Sequence, residues 1–295
     1  MATTPKPHWP NNHYHGSRFA SIRNQIIRDM QYKSHVVHPI HWQGMDVSNR
    51  PEMRSHELLN VTFTVPLQGV ENLNHWRHDI KPNLPWADDH FEERVCGFPI
   101  NPGVEWANWP WGKSADTFRD QGQFNHNYME RYWPKYAAMK STPSRTADEW
   151  VGAPLDREFD LNDGPHYGLR NPYGDLNDLV GQLVKDPHSR QEWFPIFHPE
   201  DVGEVVGGRK PCTLGYQFIR RDDQLHVYYP LRSCDLIRHW PDDCYLTVRL
   251  LIWVIEQCRH LDSSNWDHVR PGSYSMHCTS LHVFENDIVQ IGGKR

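Results

Sequence analysis

Cys212 is the side chain in this sequence best surrounded for nucleophilic chemistry. It follows the basic pair Arg209-Lys210 and Pro211, and it precedes Gln217-Phe218. Two further segments share its chemical character. One is Asp186-Pro187-His188-Ser189-Arg190; the other is Arg232-Ser233-Cys234-Asp235, followed by Pro241-Asp242-Asp243. A thiolate is strongly nucleophilic even when only partly ionised. Nearby arginines lower a thiol pKa, and their planar guanidinium groups bind phosphate. The plain alternative for Cys212 is a small buried hydrophobe, the usual fate of an unpaired cysteine. No pair among the cysteines at 96, 212, 234, 244, 258 and 278 has CxxC spacing, so they read as free thiols with at most one catalytic.

These segments, in this order, resemble thymidylate synthase and the related pyrimidine hydroxymethylases. The likeness rests on the DPxSR run, the PC followed five residues on by QF, the RSCD run, and Pro241-x-Asp243. Cys212 and Arg232 are 20 positions apart (232 − 212), the spacing of that family. It is specific over residues 175–256 and looser over 85–136. The resemblance implies an α+β fold, thymidylate synthase-like, with a mixed sheet, a buried central helix and a symmetric homodimer. It also implies transfer of a one-carbon unit from 5,10-methylenetetrahydrofolate to C5 of a pyrimidine nucleoside monophosphate. Pyrimidine C5 is a poor nucleophile until a group such as the Cys212 thiolate adds at C6. Arg190 and Arg232 match the phosphate ligands, Arg190 serving the partner's site, and Ser233 adds a hydroxyl. Asp235 matches a carboxylate that binds the pterin ring; its alternative role is a cap at the end of a hairpin. Cys234 carries no chemistry in the family and reads as structural.

Asp243 is the most informative position. Thymidylate synthases carry Asn there, which satisfies the O4 and N3–H edge of uracil. An ionised aspartate only accepts, which suits the amino group of cytosine; a protonated one can also donate to N3. Cytosine-specific phage deoxycytidylate hydroxymethylases are similar in having Asp at this point. The expected reaction is therefore dCMP to 5-hydroxymethyl-dCMP. The alternatives are a dCMP C5-methyltransferase, a thymidylate synthase acting on dUMP, or a catalytically silent nucleotide-binding relative. Asp242 is the rival acid, and both could merely cap the following helix.

Upstream, Glu93 lies 35 positions before Tyr128 (128 − 93), close to the family spacing of its proton-relaying glutamate and following tyrosine. Glu92 is its rival, and a solvated acidic helix face is the plain reading of both. Trp109 and Trp111 resemble the tryptophans lining the folate site, Gln217 belongs to the PC–QF run, and His282 resembles a sugar-binding histidine. The tyrosine that accompanies that histidine is here Phe284, which cannot make the hydrogen bond. The chain departs further at Thr213, Leu231, Gln191 and His239, where the family carries His, Gln, Arg and Gly. Arg50 is the candidate N-terminal phosphate arginine. The histidines at 8–15 and 35–41 lack the spacing of a tight zinc site, and no metal is expected.

The elements that must position these residues read from periodicity. Phe19, Ile22, Ile26 and Met30 form one helical face. Val61–Val65 alternates as a strand, and 214–233 is a hairpin turning at Asp222-Asp223. Asp175 caps a helix striped by Leu176, Leu179, Val180, Leu183 and Val184 and ended by Pro187. Tyr245–Ile255 is apolar on nearly every side, as in a buried helix. Residues 75–115 read as ordered loops with short helices. Residues 1–15 read as an arm, 141–174 as an insertion, and 1–295 as one domain without a regular βαβ beat. The chain has 295 residues, 38% hydrophobic and 23% charged, a mean hydropathy of −0.77 and a net charge of −6. That balance excludes general disorder and argues against a polynucleotide partner, yet allows one phosphate to be bound locally. With no apolar signal core or membrane-length apolar run, the expected compartment is the cytoplasm. A Cys-His hydrolase is disfavoured, because no cysteine has a Gly-x-Cys-Trp context.

Overall fold

A computed structural model describes residues 12–42, 45–112, 119–120, 123–124, 127–136, 173–202 and 210–292. Arg209, residues 1–11 of the expected arm and all but Tyr173 and Gly174 of the expected insertion lie outside them. The rest of the arm is ordered by contact with the sheet. Asn12–His15 forms a strand, β1, paired in parallel with Val61–Thr64, and buried Asn12 donates to Leu59 O at 2.7 Å.

The other sheet strands are β2 (His35–Val37), β3 (Ser55–Pro66), β4 (Trp193–Pro195), β5 (Gly215–Arg221), β6 (Gln224–Asp235) and β7 (Arg270–Phe284). Among the described residues they form one seven-stranded mixed sheet in the order β1-β3-β7-β6-β5-β4, with β2 also on the β3 edge. The β5–β6 hairpin turns through Asp222 at φ 50°, a left-handed conformation that aspartate tolerates. Strands β6 and β7 are parallel, so the chain between them must cross over. That crossover carries α6 (Trp240–Leu261) and the short α7 (Ser263–Trp266).

The other helices are α1 (Phe19–Lys33), α2 (Leu73–Ile80), α3 (Trp86–Arg94), α4 (Tyr128–Tyr132) and α5 (Leu176–Lys185). Helix α6 is the hub. It packs on β6 and β7 and is flanked by α2, α3 and α5. Its start is set by a proline in the first turn, where the missing N–H costs no helical bond, and its end by Arg259 and His260 beside the exposed carbonyls. Helix α1 buries the four residues its period predicts, Phe19, Ile22, Ile26 and Met30. Helix α5 begins with a full capping box, Asp175 accepting from Asn177 and Asp178 N–H while Asp178 accepts from Asp175 N–H.

A buried ion pair fixes α4. Arg131 and Asp201, both with side chains 0% exposed, form two parallel bonds at 2.7 and 3.0 Å, and Asp201 also accepts from His198 N–H at 2.7 Å. Removing one partner strands a buried charge. Asp201→Ala is therefore expected to lower stability by about 3–5 kcal/mol in denaturant unfolding. A loss under about 1 kcal/mol would show that water relieves the arginine. No helix among the described residues is long and apolar enough to cross a membrane.

Candidate active site

Cys212 precedes β5 and is partly exposed, and its six-member class is as expected: all six cysteines are free thiols. Its backbone is held by β6, because Arg232 N–H donates to Cys212 O at 2.9 Å and Thr213 bridges to Leu231. The Arg232 side chain reinforces this, with Nε donating to Pro211 O at 2.8 Å and Nη2 to Lys210 O at 2.9 Å. Arg232 thus clamps the segment that presents the thiol.

From Thr213 a chain of hydroxyls runs inward. The Tyr128 hydroxyl lies 3.2 Å from Thr213 Oγ1, which lies 2.8 Å from the Tyr229 hydroxyl. Tyr229 in turn faces Asp243, whose Oδ2 accepts from Cys234 Sγ at 3.4 Å. Burial pushes the Asp243 carboxyl up to about 7, with Arg94 and the Cys234 bond pulling the other way. Burial also pushes Tyr128 up to about 12, and Cys212 and Asp243 add to that shift. Cys212 and Asp243 are therefore both neighbours of Tyr128. Cys234, although buried, supports the acid directly.

Asp242 has a different task. It is 3% exposed and accepts from Asn83 N–H and Asn83 Nδ2, each at 2.8 Å. It pins the loop before α3, whereas Asp243 stays beside Tyr229, Tyr128 and Cys234. Burial pushes the Asp242 carboxyl up to about 6.

Helix α3 packs against α4 and α6. Trp86, Ala87, His90, Phe91 and Arg94 share its buried face. Glu92 is outside, 69% exposed and paired with Arg249 Nη2 at 2.6 Å. Glu93 is 11% exposed, but its carboxylate turns to the 103–105 segment. It accepts from Glu105 N–H at 2.9 Å, lies 3.1 Å from His90 Nδ1, and would overlap a Cβ at Gly103. Arg94 Nε donates to His90 Nε2 at 3.0 Å, so His90 donates from Nδ1 to Glu93. Burial, with Arg94 alongside, pushes this imidazole down to about 4 and keeps it neutral.

A chain of aromatic contacts runs on from this helix. His90 stacks on Trp86 at 4.7 Å, Trp86 meets Trp109 at 5.8 Å, and Trp109 meets both Trp111 at 5.4 Å and His239 at 4.8 Å. The stack links Arg94 to the first turn of α6.

The remaining expected residues form other contacts. Ser233, Asp235 and His282 cluster where β6 and β7 end; Ser233 Oγ is 3.4 Å from His282 Nδ1, and Asp235 pairs with His282 in register. Asp235 Oδ1 caps its own turn, accepting from Ile237 N–H at 2.8 Å and Arg238 N–H at 3.0 Å. Its Oδ2 is buried without a hydrogen bond, 3.6 Å from Arg238 Nε. Burial raises Asp235 and lowers His282. Arg190 is exposed, and its carbonyl accepts from Gln217 Nε2 at 3.1 Å. Gln217 alternates with core-facing Tyr216 and Phe218 and so occupies the other sheet face. Arg50 is exposed beside a turn.

Arg94, Thr213 and Tyr229 were not read as site residues from the sequence. Helical phase held the signal for Arg94, which shares a face with Trp86, His90 and Phe91. No group of three side chains suited to a metal ion occurs among the described residues.

An α+β domain with a seven-stranded mixed sheet and a buried crossover helix is the class of fold that holds these residues. No protein-family model matches the chain. Among solved structures, its fold is similar to that of thermostable thymidylate synthase A from Bacillus subtilis, with a TM-score of 0.59 and 14% sequence identity, covering 92% of this chain and 81% of that one. The fold is thus thymidylate synthase-like.

Proposed function

We propose that the chain is a folate-dependent transferase that converts dCMP to 5-hydroxymethyl-dCMP. The observation that carries this reading is that Tyr128 is a neighbour of both Cys212 and Asp243 and is joined through Thr213 to Tyr229, on a thymidylate synthase-like fold. Cys212 Sγ bonds to C6 of the pyrimidine, the C5=C6 double bond opens, and C5 becomes the nucleophile. The co-substrate 5,10-methylenetetrahydrofolate supplies the one-carbon unit. After C5 loses its proton and tetrahydrofolate departs, the pyrimidine carries an exocyclic methylene. Water adds there, the Cys212–C6 bond breaks, and the thiolate returns.

Asp243 accepts from the cytosine amino group, and the Tyr128–Thr213–Tyr229 hydroxyl chain holds protons beside it. Arg232 and Ser233 bind the 5′-phosphate, with Arg190 reaching the site of a second copy in a homodimer, which suits its exposed position. His282 lies beside Ser233 to meet the sugar. Trp109 and Trp111 offer flat faces for the folate, and the unbonded Asp235 Oδ2 is an acceptor that fits a pterin N–H. Glu93 acts through His90 rather than on the base.

Turnover of dCMP, CMP and dUMP side by side, read by product mass, tests the reaction. The expected product is dCMP plus CH2O. A gain of CH2 would replace water with hydride as the final reagent, and no product from any of the three would remove the transferase reading.

A further inference from the structure

Thr213 directly follows Cys212, is 0% exposed, and carries a hydroxyl into the core. A buried hydroxyl is costly unless it is hydrogen-bonded, and this one is bonded on two sides. Its Oγ1 lies 2.8 Å from the Tyr229 hydroxyl and 3.2 Å from that of Tyr128. Valine has the shape of threonine and phenylalanine that of tyrosine, so a Val–Phe–Phe set would fill the same space without desolvating three hydroxyls. What the hydroxyls add is direction. The two tyrosines are held differently. Tyr229 is 1% exposed on β6, and its ring stacks on Tyr216 at 4.9 Å with 6° between the planes, so its hydroxyl is a fixed point. Tyr128 is partly exposed and opens α4, a five-residue helix outside the sheet. The Arg94 guanidinium carbon lies 4.3 Å over its ring, a contact with the ring face that does not aim the hydroxyl. Thr213 is itself anchored: it bridges to Leu231, Cys212 O accepts from Arg232 N–H at 2.9 Å, and Leu214 N–H donates to Pro230 O at 3.0 Å. Its branched side chain also has few rotamers.

We propose that Thr213 is the positioning residue for Tyr128, and that Tyr229 acts on Tyr128 through it: one hydroxyl set against β6 registers a phenol from α4 beside the segment that presents the Cys212 thiol. Each of the three hydroxyls carries a single proton, and Thr213 Oγ1 stands between the other two. In a head-to-tail chain, a Thr213 that donates to Tyr229 accepts from Tyr128, and the Tyr128 oxygen then serves as an acceptor beyond the chain. When Tyr229 donates to Thr213, Thr213 donates to Tyr128, and the phenol proton of Tyr128 is the one presented. The proton order at the buried end therefore reaches the partly exposed end through one side chain. A residue of the same shape without the hydroxyl breaks that link and strands both phenols. Thr213 acts through Tyr128, and Tyr229 acts one bond further back. The consequence for chemistry at C5 rests on the proposed function, whereas the coupling of the two phenols does not.

The test is NMR of the full chain labelled with 13Cζ-tyrosine, the Tyr128 signal being the one lost in Tyr128→Phe. Tyr229→Phe is expected to move that signal, to leave it in place once Thr213→Val has been made, and to move it again in a Thr213→Ser background. A Tyr128 signal unmoved by Tyr229→Phe, or moved equally with and without the Thr213 hydroxyl, overturns the proposal. If Thr213→Val does not fold, Tyr229→Phe in the otherwise unsubstituted chain decides: a moved Tyr128 signal supports the coupling and an unmoved one overturns it. On the enzyme, Thr213→Val should slow tritium release from C5-labelled dCMP by about 100-fold while dCMP binding stays within about threefold, and Thr213→Ser should recover most of the rate. Tyr229→Phe should add nothing to Thr213→Val. An unaltered rate in Thr213→Val, or losses that multiply in the double variant, overturns the proposal as well. Coupled phenols in a chain that converts none of dCMP, CMP and dUMP would leave the positioning role standing and remove the transferase reading.

Discussion

Cys212→Ala is expected to lose release of tritium from C5-labelled dCMP in the presence of folate, by about 10,000-fold or more, while nucleotide binding persists. Exchange at C5 needs the ring to be activated by addition at C6, and no other cysteine can substitute. Cys234, Cys244, Cys258 and Cys278 are buried, and burial raises each of these thiols. Cys96 sits by Phe98, its Sγ donating to Phe98 O at 3.5 Å. The substitution should leave the scaffold intact, because the bonds that hold this segment run through the carbonyls of Lys210, Pro211 and Cys212 to Arg232. Cys212 is also partly exposed, so trimming Sγ opens no sealed cavity. Calorimetric dCMP titration beside the tritium assay separates the outcomes. Retained exchange would mean that the thiol is only a packing group, and simultaneous loss of binding and stability would mean that it holds the fold.

Much of this scaffold was legible because local signals agreed with the tertiary environment. The Asp175 cap, the stripe of α5 and the Asp222 turn each specify their element within ten residues or so, and the fold uses them unchanged. The 15-residue strand β7 was not read, although Tyr274, Met276 and Cys278 are buried in alternation with Ser275 and His277. Its outward residues are small or imidazole, and its start is Pro-Gly, so period two stood out weakly from a loop. Strand β1 is four residues long and exists because β3 offers an edge, information that lies some fifty positions downstream. The site divides in the same way. Spacing singled out Cys212 and favoured Asp243 over Asp242; what it could not show is that Asn83, in a distant loop, takes both oxygens of Asp242. Arg94 was passed over because charged residues on a short helix usually face water.

The largest change in substrate choice is expected from Asp243→Asn, and the neighbours of the carboxyl give its direction. Cys234 donates to Oδ2, so an amide placed there keeps its carbonyl oxygen in the Oδ2 position and turns its NH2 toward the base. An NH2 group meets the uracil O4 acceptor well and opposes the cytosine amino group. A site with a mismatched buried polar group discriminates by about 10,000-fold at its strongest, so the dCMP-to-dUMP ratio of kcat/KM should fall by about 100-fold or more. The same geometry gives a pH dependence. Above the midpoint near 7, ionised Asp243 only accepts, which serves the cytosine amino group and opposes uracil O4; below it, the protonated carboxyl can donate to cytosine N3 or to uracil O4, so dUMP is no longer opposed and the preference for dCMP weakens as pH falls. Asp243→Asn should erase that slope in the preference ratio. Stability carries an independent signature. A carboxyl raised from 3.8 to about 7 leaves the native state holding the proton that the unfolded chain has released, so it costs the native state stability progressively from about pH 4 to pH 7. The unsubstituted protein should therefore lose ground against Asp243→Asn across that window and run parallel to it above. Unchanged base preference together with parallel stability curves throughout would place the decisive acid elsewhere.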